Sequence, residues 1–558
     1  MNKQCKNCNK TFKITDQDLA FYEKINVSIP THCPDCRLQR RLAWRNERTL
    51  YARTCDLCHK KILALYPKNS SYKVYCHDCY WGDSWSGLED GREFDFDKPF
   101  FEQYTELIKK LPHPAAYNDQ IENSEYINYC YGAKNCYLLF GSDENEDCYY
   151  CTHVKNCVNC IDCITSDHLE LCSNCVDCSY SYNTHYAQES HQLRDCYFNF
   201  DCKNCSNCFG SAGLRNKQFI LFNKQVSAEE YHKQVDDMLK KHTVAELYKM
   251  AEQTRLKNPC QPAIIIASHN SSGDHLHNCS NAQQCFDSND IIDAKYIYYV
   301  NGKAFDCMDV YGGGFNYEQC YEFIVGIGHN LHFSMLCWKS VYNIAYSILT
   351  NNAHDCFGCF SLKTGQYAIF NKQYSASDYS QLKNKIIHHM KQTGEWGEFF
   401  PVEKSIFAYN ETNAQIEFPL NKTTVQQRNW RWTDTIYVTT GKETADINKT
   451  ATFAPLLNNN ITKNIYKCST CERNFKILGQ EFIFYQRQKI FIPVDCYECR
   501  FVKLYKKRNS YQIWHRQCMC TQIDHNHQGR CATEFETTYA PDRKELIYCE
   551  QCYQKEIY

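Results

Sequence analysis

Thiols three residues apart are the first chemistry this sequence offers. Cys-x2-Cys pairs lie at Cys5/Cys8, Cys33/Cys36, Cys55/Cys58 and Cys76/Cys79. A pair so spaced reaches one ion from a tight turn, and two pairs complete a tetrahedral thiolate site with no open coordination position. Cys5, Cys8, Cys33 and Cys36 therefore form one predicted zinc site, and Cys55, Cys58, Cys76 and Cys79 a second. Shifting the numbering by 463 carries Cys5, Cys8, Cys33, Cys36 and Cys55 onto Cys468, Cys471, Cys496, Cys499 and Cys518, and brings Phe12 onto Phe475 and Pro30 onto Pro493. Cys468, Cys471, Cys496 and Cys499 form the third site. The fourth is altered, because Thr521 stands where Cys58 calls for cysteine, within CMCTQIDHNHQGRC. Cys518, Cys520, Cys549 and Cys552 are its favoured ligands, with Cys531, His525 and His527 as substitutes. Three to four structural zinc ions follow, each folding a module too small for its own core.

These modules must be carried by something, and the middle of the chain shows what. Residues 130 to 208 hold 14 cysteines, and all of them lie a multiple of three residues apart. Eleven follow Asn or Asp, residues that favour turns and tolerate left-handed backbone. The period predicts a β-solenoid whose cysteines stack inward as a structural ladder, with the number of residues per coil left open. A second shift, of 148, carries FNKQVSAEEY (222 to 231) onto FNKQYSASDY (370 to 379), so the unit and its closing helix are duplicated. Ser227 and Ser375 suit the helix N-caps.

The predicted architecture is mainly β with short helices: a duplicated cysteine-rich solenoid flanked by zinc-ribbon or treble-clef modules. Its parts are tandem zinc modules (1–95), a connecting helix and linker (96–129), the first solenoid (130–226), a capping helix (227–259), a second solenoid-like unit (260–374), a helix (375–393), a polar linker (394–463) and a second module pair (464–558).

The segment CKNCNKTFKITDQDLAFYEKINVSIPTHCPDCRLQRR resembles the zinc-ribbon domain of treble-clef type, as does 468–503. With RLAWRNERTLY, VYCHDCYW, REFDFDKPFFEQ, CYECR and TTYAPDRKELIYC, the chain resembles an uncharacterised family of cysteine-rich zinc-ribbon and repeat proteins of candidate-phyla bacteria. That resemblance implies domain boundaries and no activity.

A formal net charge of −2 rules out a uniformly basic nucleic-acid coat, so any such binding needs local patches. The helix after the second knuckle supplies candidates: Arg37, Arg40, Arg41, Arg45 and Arg48, then Arg500, Lys503, Lys506, Lys507 and Arg508. They could neutralise the phosphates of RNA or single-stranded DNA. The competing expectation is a scaffold that binds protein on the solenoid face, and a third is a carbohydrate-active site drawing on Asp143, Glu144, Glu146 and Asp147. With no P-loop, H-E-x-x-H or G-x-S-x-G motif, the prediction is a non-enzymatic binding protein. No membrane span or secretory leader is read from the sequence, and 39 cysteines with knuckle spacing point to the reducing cytoplasm. Oligomeric state is left open.

Overall fold

The computed structural model describes residues 1–558 except 301, 303–307, 310–311, 314–320, 323, 325–340, 435–437 and 450–451. Part of the repeat expected over 260–374 therefore lies outside the described residues. The chain forms two compact units, each assembled from two separated stretches: Met1–Ala116 with Ala263–Thr435, and Tyr117–Pro262 with Ile436–Tyr558. The N-terminal modules thus belong with the second repeat and the C-terminal modules with the first. Many small sheets alternate with helices of up to 18 residues, so the class is mixed rather than mainly β.

In the second unit the period of three is a backbone fact. From Asn135 to Phe222 every third residue has a positive φ, including Asn159, Asp162, Asn174 and Asp177. Asn, Asp and Gly bear this left-handed geometry at least cost, which accounts for their place before the cysteines. The residue after nearly every one of these corners points inward. Cys136, Cys148, Cys160, Cys172, Cys196 and Cys208 are buried in one continuous core with Leu139, Val154, Leu169 and Leu193. Strands pair in parallel at one constant offset, as in Thr152 with Ile164, Thr184 with Cys196 and Cys208 with Ile220. Four inward positions recur within each such interval.

Inward thiols have partners along the ladder. Cys148 Sγ lies 3.4 Å from the Glu146 carbonyl and 3.4 Å from that of Cys157 on the neighbouring rung. Where oxygen replaces sulfur the same position serves the next rung: Ser142 Oγ accepts from Val154 N–H at 3.0 Å, and Asn145 Oδ1 from Cys157 N–H at 2.9 Å. Burial pushes the Cys130 and Cys202 thiols up, so they stay protonated and unreactive.

The first unit repeats the device around Leu276, Ala282, Cys285, Ile297, Cys356 and Cys359; Ile344 pairs with Cys356 at the offset of the other unit, while Ile265 with Leu276 is one residue shorter and Lys295 with Met308 one longer. The helix Phe100–Lys110 lays Phe100 and Tyr104 against Phe370, and its first N–H groups are capped by Glu395 at 2.9 and 2.8 Å. Ser227 and Ser375 cap Ala228–Lys241 and Ala376–Thr393, each accepting from the N3 amide at 3.1 Å. The stretch read as a polar linker differs from expectation: Phe399, Phe400, Phe407 and Tyr409 are buried. Among the described residues, no helix is long and apolar enough to cross a membrane.

His113 is buried in the first unit. Its Nε2–H donates to Ile108 O at 2.9 Å, leaving Nδ1 to accept from the Tyr66 hydroxyl at 3.0 Å. Burial pushes it down to about 4.

At a ladder corner, Asn159→Val should cost about 1–2 kcal/mol by forcing a β-branched residue to positive φ, while Asn159→Gly stays within a few tenths; urea midpoints check both. Neutral in the fold to about pH 4 but protonated near 6.5 when unfolded, His113 makes the unfolded chain bind more protons between those values. Its contribution is thus present above pH 6.5 and lost as pH falls, by roughly 3 kcal/mol at most. His113→Gln should flatten this part of the stability profile, and an unchanged profile would count against it.

Candidate metal centres

Each terminal module is a short hairpin carrying the first thiols and a helix whose N-terminus carries the second pair. The hairpins are Asn2–Gln4 with Thr11–Lys13, Tyr51–Thr54 with Lys61–Ala64, Tyr466–Lys467 with Asn474–Phe475, and Trp514–Gln517 with Glu534–Thr537. Cys33, Cys76, Cys496 and Cys549 are the N-caps of Pro34–Leu42, His77–Trp81, Tyr497–Tyr505 and Glu550–Ile557.

Four tetracysteine groups that could hold a metal ion result: Cys5, Cys8, Cys33, Cys36; Cys55, Cys58, Cys76, Cys79; Cys468, Cys471, Cys496, Cys499; and Cys518, Cys531, Cys549, Cys552. Sulfur separations of 3.7 Å for Cys8–Cys33, 3.7 Å for Cys58–Cys76 and 3.6 Å for Cys471–Cys496 suit a tetrahedron with metal–sulfur bonds of about 2.3 Å, whose edges are about 3.8 Å. In every module the third cysteine's N–H donates to the first cysteine's sulfur, at 3.3, 3.3, 3.3 and 3.1 Å in chain order. Burial alone would raise Cys55, but backbone N–H groups of Cys58, Cys76 and Leu57 bring it down to about 6.

The fourth module differs from the favoured reading. Cys531 completes the tetrathiolate with Cys518, and Cys520 sits in a separate group. Backbone bonding gives the reason. In the intact knuckles the first cysteine's N–H bonds to a carbonyl two residues beyond the second cysteine: Cys5 to Lys10, Cys55 to Lys60, Cys468 to Arg473. Cys518 N–H bonds instead to Thr533 O at 2.9 Å, two residues beyond Cys531. The knuckle has been opened by an insertion, and its second thiol now follows the inserted loop. A sequence signal for this was present: Tyr539 lies eight residues after Cys531, as Tyr66 does after Cys58.

The basic helices take a place other than the predicted one. Arg37, Arg40, Arg41, Arg45 and Arg48 are buried, as is Arg500. Arg37 donates to Asp309, with Nη2 to Oδ1 at 3.2 Å. Arg40 donates to Glu398 at 2.8 Å and pairs with Glu322, while Arg45 pairs with Glu47 at 2.6 Å. In the other unit Arg500 Nη1 donates to Glu481 at 3.1 Å and its Nε lies 3.3 Å from Asp162. Arg508 Nε donates to Asp177 at 3.0 Å. Lys507 donates to the Tyr248 hydroxyl at 2.7 Å, and burial and the Arg255 charge push it down to about 7. Lys503 pairs with Asp495 and is exposed, as is Lys506. Most of the stripe expected to meet phosphate is therefore spent on carboxylates within each unit. Asp162, Asp177, Asp309 and Glu322 are all positive-φ residues, so these arginines grip the corners of the ladders.

No protein-family model matches the chain, and no curated protein matches it in sequence.

Arg500→Met should destabilise the protein by about 3–5 kcal/mol, because it leaves Asp162 and Glu481 buried without their cation, whereas Lys506→Ala should stay within about 0.5 kcal/mol. Chemical denaturation of the metal-loaded variants distinguishes the two; equal effects would remove the ion-pair account.

Proposed function

We propose that this chain is a non-enzymatic, zinc-stabilised scaffold, built of treble-clef zinc ribbons locked onto two β-solenoids, the one in the second unit with a coil length equal to the constant offset of its strand pairs, and that it binds a protein partner on a solenoid face. The observation that carries this reading is the burial of the arginines after each knuckle. Residues paired with ladder carboxylates fasten module to repeat and are withdrawn from phosphate. Four tetrathiolate groups offer no open position for chemistry, which suits a structural role for zinc. The many free thiols suit a reducing compartment.

The ladder leaves a ready surface for a partner. Lys134, Glu146, Val158, Glu170, Tyr182 and Arg194 form one continuous parallel column, each paired with the next at the ladder's offset. Lys134 bonds Glu146 at 2.8 Å, and Arg194 lies over the Tyr182 ring at 5.4 Å. Val158 and Tyr182 are more than a third exposed. Charges of both signs flanking exposed apolar groups suit a polar-rimmed protein interface better than a phosphate track.

With the full-length, zinc-loaded protein at low salt, fluorescence anisotropy should detect no binding to single-stranded RNA or DNA. A photo-crosslinking side chain at Tyr182 should capture a polypeptide, and charge exchange at Glu170 and Arg194 should abolish that capture. Saturable, salt-sensitive nucleic-acid binding would overturn the proposal.

A further inference from the structure

The loop inserted into the fourth module carries its own ligands. Cys520, His525 and His527 all lie between Cys518 and Cys531, in the stretch that has no counterpart in the other modules. They converge on Cys552, and the four ligand atoms of Cys520, His525, His527 and Cys552 lie within 4.8 Å of one another. Cys552 also belongs to the Cys518, Cys531, Cys549 group, whose four sulfurs lie within the same limit.

The inserted ligands are set up as metal ligands are. Cys520 Sγ is 3.2 Å from His525 Nδ1, and Cys552 Sγ is 3.5 Å from His527 Nε2. The corresponding edge of a tetrahedral zinc site is about 3.6 Å, given bonds of about 2.3 Å to sulfur and about 2.0–2.1 Å to nitrogen. His527 has its other nitrogen hydrogen-bonded, and that of His525 faces a carboxylate. His527 Nδ1–H donates to Gly529 O at 2.9 Å, which leaves the Nε2 lone pair directed at Cys552. His525 Nε2 faces Glu556 at 3.6 Å, on the helix that carries Cys552, leaving Nδ1 toward Cys520. A carboxylate or carbonyl behind a ligating histidine fixes its tautomer and strengthens it as a ligand. Cys520, Cys552 and His525 are buried and His527 is half-buried, giving a set of soft and borderline donors suited to zinc.

We propose that the fourth module holds two zinc ions joined through the Cys552 thiolate: one bound by Cys518, Cys531, Cys549 and Cys552, the other by Cys520, His525, His527 and Cys552. This rests on the structural-zinc reading of the tetrathiolate groups. Sharing is favoured electrostatically. A lone zinc tetrathiolate carries a net charge of −2, whereas two ions on five thiolates and two neutral imidazoles carry −1 in total.

The test is metal counting on the full-length protein by native mass spectrometry, with cadmium-113 NMR of the cadmium-loaded chain. Five ions are expected, falling to four in the His525→Ala/His527→Ala variant. In the wild-type spectrum, two of the five cadmium resonances should be coupled to each other through the shared sulfur, one of them shifted by nitrogen ligands. A wild-type count of four, a double variant that binds as many ions as wild type, or the lack of a mutually coupled pair overturns the proposal. If the variant fails to fold, the coupled pair in the wild-type spectrum decides. Loss of an all-sulfur resonance belonging to one of the first three modules would instead count against the structural-zinc reading, with the coupled pair still the criterion for the shared cluster.

Discussion

A backbone that turns left-handed at every third residue leaves little freedom to what lies between. The corner must be a residue that accepts positive φ, and the next side chain must point into a narrow core bounded by the preceding and following rungs. Cysteine fits that position on both counts. It is small and apolar enough to stack, and its sulfur can still contact the carbonyls that the corners leave at the wall, as Cys148 does with Glu146 and Cys157. The ladder is thus a core of cysteines and aliphatic residues without aromatic side chains, stabilised by register. A polar inward residue such as Ser142 or Asn145 is accepted because it supplies the next rung's N–H with an acceptor.

The same corners explain how a terminal module is fastened. Carboxylates placed at positive φ project at the edge of the ladder, where Arg37 and Arg500 reach them from the helix behind a knuckle and Arg508 from the turn that follows it. Buried ion pairs of this kind contribute modest net stability but penalise any other placement, since a misdocked helix would strand charges on both sides. A metal ion on the thiols would order each module, and arginine fixes which neighbour it takes.

Much of this was legible in the sequence because spacing is dictated by geometry. Knuckle spacing identified three thiol groups, and the period of three with Asx before cysteine marked the inward ladder. The use of the basic residues was not legible. Arg41 and Arg500 look like any solvated cation until the acidic partner is seen, and Asp309 lies 272 residues from Arg37 in sequence. The fourth module misled for a related reason. A fixed numbering shift fails across an insertion, so Thr521 appeared to replace a ligand that had only moved to Cys531. The segment 394–463 was misjudged from its Asn and Thr content, while its few aromatics, among them Phe400 and Tyr409, decide its burial.

The interleaved make-up of the units matters for a chain that emerges from one end. The stretch Met1–Ala116 joins Ala263–Thr435, so the modules synthesised first must wait for all of Tyr117–Pro262 before their partner ladder begins to appear. At about 5–20 residues per second that intervening stretch takes roughly 7 to 30 s, during which Arg37 and Arg41 have no carboxylates to meet. A thiolate-bound metal ion needs only the nearby knuckles, so it can hold the early module in shape through the wait. On the proposed reading, zinc is in that sense a timing device: it lets a small domain exist before the surface that will complete it has been made.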